Sequence, residues 1–170
     1  MERVARFEKV SLEQFAEAMQ KSFPEMSEAE IRAVYDGLKL PERATEGSAG
    51  YDFHAPFPIT IAPGAEALIP TGIRAKIKPG YVLLLFPRSS LGFKYRLQLN
   101  NTVGVIDSDY YNADNEGHIF CKLTNDSKTG KTVEIGAGQG MVQGIFMAFG
   151  ITEDDNAGGV RTGGFGSTNQ

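Results

Sequence analysis

Pro70-Thr-Gly-Ile-Arg-Ala-Lys-Ile-Lys-Pro-Gly-Tyr-Val-Leu-Leu-Leu-Phe-Pro-Arg88 carries the clearest structural pattern in this chain. Its first half alternates: Ile73, Ala75 and Ile77 are apolar while Arg74 and Lys76 are charged, the period of a strand with one buried face. Pro79-Gly80 then supplies a turn, because Pro presets φ and Gly accepts positive φ. Val82, Leu83, Leu84, Leu85 and Phe86 follow as a short apolar run closed by Pro87, the length of a buried strand. Similar punctuation by Pro56, Pro58, Pro63-Gly64 and Gly72 begins at Pro41, and Ile119 to Leu123 forms another run of strand length. The pattern predicts a mainly β chain, a sandwich or a barrel.

Outward from this centre the composition changes twice. Leu12, Phe15, Ala16 and Met19 recur at helical spacing behind a candidate cap at Ser11. Ser27 and Glu30 resemble a capping box ahead of Ile31, Val34, Tyr35 and Leu38. The spacing predicts helix over residues 11–38, and residues 1–38 read as a helical extension of a β core spanning 39–151. Residues 152–170 form the third segment. From residue 154 onward the large apolar residues are Val160 and Phe165, whereas seven positions are Gly or Asn. By composition this is a flexible tail.

A chain of 170 residues can bury roughly two-thirds of its unfolded surface in one domain, so disulfides and structural metals are not needed for folding. The single cysteine, Cys121, sits in an apolar run and reads as a buried thiol. With His54 and His118 as the remaining soft ligands, no zinc cluster can be assembled, whereas a carboxylate- or phosphate-held Mg²⁺ stays open. The first nine residues lack the apolar core of a signal peptide, and no apolar run approaches a membrane span. A cytoplasmic protein without membrane partners is expected. Net charge is −4 and the 17 basic residues are scattered, so the clustered positive charge of a nucleic-acid surface is missing.

Five clusters combine glycine, which admits close backbone approach, with groups suited to phosphate or sugar. They are Ala49-Gly-Tyr-Asp-Phe53, Pro87-Arg-Ser-Ser-Leu-Gly92, Asn101-Thr-Val-Gly-Val-Ile-Asp-Ser-Asp-Tyr110, Gly138-Gln-Gly-Met-Val-Gln143 and Arg161-Thr-Gly-Gly-Phe-Gly-Ser-Thr168. Arg88, Ser89 and Ser90 admit two readings, a phosphate loop or an ordinary strand-end turn. Asp107 likewise is either a general base or a turn-capping residue. An aromatic ring inside Gly163-Gly164-Phe165-Gly166, flanked by Arg161 and two hydroxyls, suits a lid that folds over a nucleotide.

Taken together and in this order, the five clusters resemble the motifs of the trimeric dUTPase family over residues 40–168. The resemblance implies a jelly-roll-like β barrel in a homotrimer, with active sites shared among subunits and the tail closing over a neighbour's site. It implies that dUTP is cleaved to dUMP and pyrophosphate with Mg²⁺, limiting uracil in DNA and supplying dUMP for thymidylate synthesis. Asp107 would activate the water that attacks the α-phosphorus, and Tyr110 would pack under the deoxyribose. Asn101, Gly104, Val105, Ile106 and the Asp107 backbone would read uracil from a hairpin too narrow for a 5-methyl group. Arg88, Ser89, Ser90 and Gln143 would hold the phosphates, and Asp52 would reach the waters of Mg²⁺. Arg161, Ser167 and Thr168 would clamp the γ-phosphate, with Phe165 and Gly166 over the base.

The chain departs from the family pattern at several places. Ser90 stands where glycine is usual, Gly140 where Arg or Lys is common, and Asn169 where glycine is usual. Arg161 lies one residue nearer Phe165, and residues 111–117 read as an insertion beside the sugar site. Two rivals share the fold: a dCTP deaminase, which resembles the chain less at Gly50-Tyr-Asp52 and at the tail, and a catalytically idle regulatory trimer.

Overall fold

The computed structural model describes residues 1–159, 161 and 163. Among the described residues the strands are β1 (Ala5–Lys9), β2 (Tyr51–His54), β3 (Ile59–Ile61), β4 (Glu66–Pro70), β5 (Ile73–Ile77), β6 (Tyr81–Pro87), β7 (Leu97–Leu99), β8 (Gly104–Ile106), β9 (Phe120–Asn125), β10 (Val133–Ile135) and β11 (Gly140–Ala148). Helices α1 (Leu12–Ser22) and α2 (Glu28–Asp36) precede β2, α3 (Ser89–Tyr95) follows β6, and a 3₁₀ turn covers Ser108–Asn112. The strands form a four-stranded sheet in the order β2-β11-β6-β8, a three-stranded sheet β4-β9-β7, and the pairs β1-β5 and β10-β3. The mainly β architecture expected from the Gly/Pro punctuation is what the chain adopts, in keeping with the jelly-roll type that the family resemblance implies. No helix among the described residues is long and apolar enough to cross a membrane.

Alternation explains the core. Ile73, Ala75 and Ile77 of β5 are buried while Lys76 between them is exposed, and Leu83 and Leu85 of β6 point into the same core. Ile69, Leu97, Leu99, Leu123, Val133 and Ile135 join them. Cys121 is wholly buried there, and burial pushes its thiol up to about 12.

The two helical patterns capped at Ser11 and Ser27 are present as α1 and α2, while helix throughout 11–38 and an all-helical extension need correction. First, Phe23 caps α1, its N–H donating to Met19 O at 2.7 Å, and Pro24 follows with no N–H to continue the ladder. A new helix starts only at the capping box, where Ser27 N–H donates to Glu30 Oε2 at 2.8 Å. Second, the extension is not all helix: β1 pairs antiparallel with β5, from Ala5 opposite Ile77 to Lys9 opposite Ile73. Alternation of Arg6, Phe7 and Glu8 was the available sequence signal, and its polar half disguised it. Val10, Phe15, Met19, Ile31 and Leu38 form a second apolar cluster. It rests on the same chain's β core, with Phe23 edge-on to Phe57 at 4.8 Å between ring centres. Gly72, with φ of 72°, sits at this seam because a Cβ there would fall 2.3 Å from Leu38 Cδ1.

His118 lies fully buried behind this seam, its Nε2 accepting from Gly72 N–H at 2.8 Å. Burial pushes the imidazole down to about 4 from an ordinary value near 6.5. The folded state thus holds the ring neutral where the released ring would be charged. Its contribution is complete above the unfolded value and is lost as pH falls from about 6.5 towards 4. Between pH 7 and pH 5 this group should cost roughly 2 kcal/mol of stability. His118→Gln, which can still accept from Gly72, should remove that part of the slope in urea denaturation at the two pH values.

Candidate functional site

The residues singled out in the sequence gather at opposite ends of β6. At its C-terminal end, Gln143 of β11 lies opposite Phe86 on one side and opposite Asp52 on the other. Arg88, the next residue after β6, places Nε 3.1 Å from Asp52 Oδ1 and donates from Nη1 to Gly140 O at 3.4 Å. Gly140, one of the departures from the family pattern, lies against this guanidinium. A Cβ on Gly140 would stand 2.6 Å from Arg88 Nη1 and 3.0 Å from its Cδ, so a side chain at 140 would displace the guanidinium. Ser89 and Ser90 are exposed in the first turn of α3, whose leading N–H groups have no helical partner. The triplet is thus both a strand end and a helix start.

Asp107 belongs to the other end. In β8, Ile106 pairs with Leu83 and Gly104 with Leu85, so Asp107 emerges beside the start of β6. Its side chain makes no capping hydrogen bond to the 3₁₀ turn that it precedes, which removes the turn-capping alternative. Instead the carboxylate, about half exposed, accepts from Arg161 Nη2 at 2.6 Å. Arg161 Nε lies 3.2 Å from Asp109 Oδ1, and its guanidinium carbon stands 5.7 Å from the centre of the Tyr110 ring. Tyr110 is buried; its hydroxyl donates to His118 O and accepts from Asn115 Nδ2, both at 2.7 Å. Burial raises this phenol, and the Asn115 bond opposes the rise.

Asn101 and Thr102 occupy an exposed turn between β7 and β8, with Thr102 at φ 67°. The expected uracil hairpin is not closed by pairing of its two arms: β7 pairs with β9 and β8 with β6, so the turn joins two sheets. Val105 is exposed between buried Gly104 and Ile106. Phe165, Gly166, Ser167 and Thr168 lie outside the described residues.

Within one chain, then, Asp52, Arg88 and Gln143 come together, Asp107, Tyr110 and Arg161 come together, and the two groups stand apart. Positions 82 and 88, which mark the two ends, are separated by roughly 20 Å of strand. Among the described residues, no group of three or more His, Cys, Asp or Glu side chains could hold a metal ion, and Asp52 is engaged by Arg88. A hard cation here would take its inner ligands from phosphate oxygens, with Asp52 within reach of its waters.

A mainly β fold that brings Arg, Asp and Tyr side chains together at loops from distant segments offers the groups an enzyme acting on an anionic substrate needs. A dUTPase family model matches residues 36–169. The deoxyuridine 5'-triphosphate nucleotidohydrolase of Lactococcus lactis is 48% identical over 135 residues, covering 78% of this chain and 89% of that protein. The enzyme of the same name from Hahella chejuensis is 38% identical over 137 residues, covering 77% and 87%. Among solved structures, dUTPase from Streptococcus mutans is 46% identical with a TM-score of 0.61, covering 69% of this chain and 91% of that one. The dUTPase of phage phi11 of Staphylococcus aureus covers 92% of this chain and 97% of its own at 19% identity and TM-score 0.63, a likeness of fold alone. The chain belongs to the dUTPase family.

Two residues that the sequence reading left without a role enter the site. Asp109 shares Arg161 with Asp107. Asn115 reaches Tyr110 from the insertion. The first was legible as a second acid two residues after Asp107; nothing in the sequence pointed to the second.

Proposed function

We propose that the chain hydrolyses dUTP to dUMP and pyrophosphate, acting as a cytoplasmic homotrimer in which each site combines residues of different subunits. The separation of Arg88 from Asp107 along β6 carries this reading. A triphosphate on Arg88, Ser89, Ser90 and Gln143 lies at the far end of β6 from the same chain's Asp107, which supports a site completed by another subunit. Exposed Met147, Phe149 and Ile151, along and beyond the end of β11, supply apolar surface of the kind that subunit contacts cover.

In this reading Asn101, Gly104, Val105 and Ile106 present backbone and side-chain groups to the uracil edge, and Tyr110 forms the floor beneath the sugar. Asp107 accepts a proton from water as the water oxygen bonds to the α-phosphorus and the bond to the pyrophosphate oxygen breaks. Arg161, paired with Asp107 and Asp109 in the single chain, clamps the γ-phosphate in this reading and so leaves the Asp107 carboxylate free to accept the proton. Residues 152–170 serve as the lid, bringing Phe165, Gly166, Ser167 and Thr168 onto base and γ-phosphate. Asp52 is the residue of this chain that would hold a Mg²⁺ brought by the triphosphate, through its waters, and the ion would supply neutralisation of phosphate charge.

Pyrophosphate release from dUTP, dTTP, dCTP and UTP, with and without Mg²⁺, tests the reading. dUTP should be preferred at least ~100-fold in kcat/KM, the scale on which a hydrogen-bonding pocket rejects a wrong pattern. Turnover of dCTP at a comparable rate, or ammonia released from it, would reject the assignment.

A further inference from the structure

Residues 1–35 lie outside the region matched by the family model, and residues 111–117, which read in the sequence as an insertion, directly follow the third cluster. In the structure these two additions meet. Glu116 accepts from Ser11 N–H at 2.8 Å and from Ser11 Oγ at 2.6 Å, immediately ahead of α1. Tyr111 donates its hydroxyl to Glu8 of β1 at 2.6 Å, and its ring lies 3.7 Å beneath the Arg74 guanidinium. Arg74 also reaches Glu116 Oε2 at 3.6 Å. The rim of the insertion is thus tied to β1, α1 and β5.

Its inner side grips Tyr110. Asn115 uses both ends of its amide: Nδ2 donates to the Tyr110 hydroxyl at 2.7 Å, while Oδ1 accepts from Gly117 N–H at 3.2 Å. Gly117 has φ of 69°, and a Cβ there would fall 2.7 Å from Tyr110 O, so the loop lies directly on the Tyr110 backbone. With His118 O accepting from the phenol, the ring is held from two sides. A tyrosine that merely filled the core would need one partner for its hydroxyl.

We infer that Asn115 is a positioning residue for Tyr110, and that residues 1–38 act on the sugar end of the site through Glu116 and Tyr111. The inference rests on the reading of Tyr110 as the floor beneath the deoxyribose. Discrimination against a 2′-hydroxyl requires that floor to keep its height, and a two-sided clamp anchored on α1 and β1 keeps it.

The test compares kcat/KM for dUTP and UTP in the full-length enzyme and in Tyr110→Ala, Asn115→Asp and Glu116→Ala. Asn115→Asp keeps the acceptor that Gly117 uses and removes the donor to Tyr110. It should lower the dUTP/UTP ratio about three- to tenfold, the span expected for one or two ordinary hydrogen bonds. In ¹³Cζ-tyrosine spectra the Tyr110 phenol should titrate higher, a change that loop damage elsewhere would not produce. Glu116→Ala should lower the ratio about two- to threefold; being at the rim, it carries the test if Asn115→Asp does not fold. A ratio moved by Tyr110→Ala but not by Asn115→Asp overturns the clamp. A ratio unmoved by Glu116→Ala overturns the link to the extension. Tyr110→Ala leaving the ratio unchanged rejects the reading of the floor itself, and the clamp with it.

Discussion

Replacement of Asp107 by Asn is expected to lower kcat for dUTP by about 10²- to 10⁴-fold while KM changes by less than about threefold. Asn retains the size of the side chain and an oxygen directed at the same place, but it cannot take up a proton from water at neutral pH. The local fold should persist, because Asp107 makes no bond to the 3₁₀ turn and Arg161 keeps Asp109 as a partner at 3.2 Å. Nucleotide binding rests on other groups in this reading, so the ground state is spared and the loss falls on the chemical step. Single-turnover measurements at saturating dUTP separate that step from product release. A kcat near that of the unaltered enzyme would place the proton acceptor elsewhere.

Subunit complementation should give the second large effect. Chains carrying Asp107→Asn and chains ending after Gly159 should each be almost inactive. Refolded together in equal amounts, they should regain about one quarter of the unaltered activity if Asp107 and the tail of each site come from different subunits: half of the sites receive an intact Asp107 and half of those receive an intact tail. Arg161 makes this test informative, because in the single chain it returns to its own Asp107. The span from Ala148 to Arg161 is long enough, at roughly 3.3 Å per extended residue, to allow either that return or a reach to a neighbour. Mixtures that stay inactive after demonstrated exchange would mean that carboxylate and lid belong to one chain. The shared-site architecture would then fall, although the hydrolysis assigned to the site would not.

Much of the fold was legible locally, since side-chain alternation and capping are short-range physics. Ile73 to Ile77 reads as a strand and is β5, the apolar run from Val82 lies inside β6, and Ser11 and Ser27 cap helices where their spacing predicts. Family membership was equally legible, because it depends on the order of five short clusters. The misreadings share a cause. Ala5–Lys9 becomes a strand only because β5 offers it an edge, and β7 and β8 are neighbours in sequence that pair with different partners. Pairing partners that lie 19 to 72 residues away leave no mark on either segment.

The chemistry divides along the same line. Residue types put Asp107 and Arg88 forward as one of two readings each, and the order of the five clusters, through the family resemblance, singled out those two and Tyr110. Their arrangement was not open to such reading. Strand register sends Arg88 and Asp107 to opposite ends of β6. The Arg88 guanidinium lies over Gly140, so that a side chain at 140 would displace it. A loop folded back from residue 115 holds the Tyr110 hydroxyl, and α1 and β1 brace that loop from more than 100 residues away in sequence. Each of these depends on distances between groups that the chain separates, and such distances exist only once the whole core has packed.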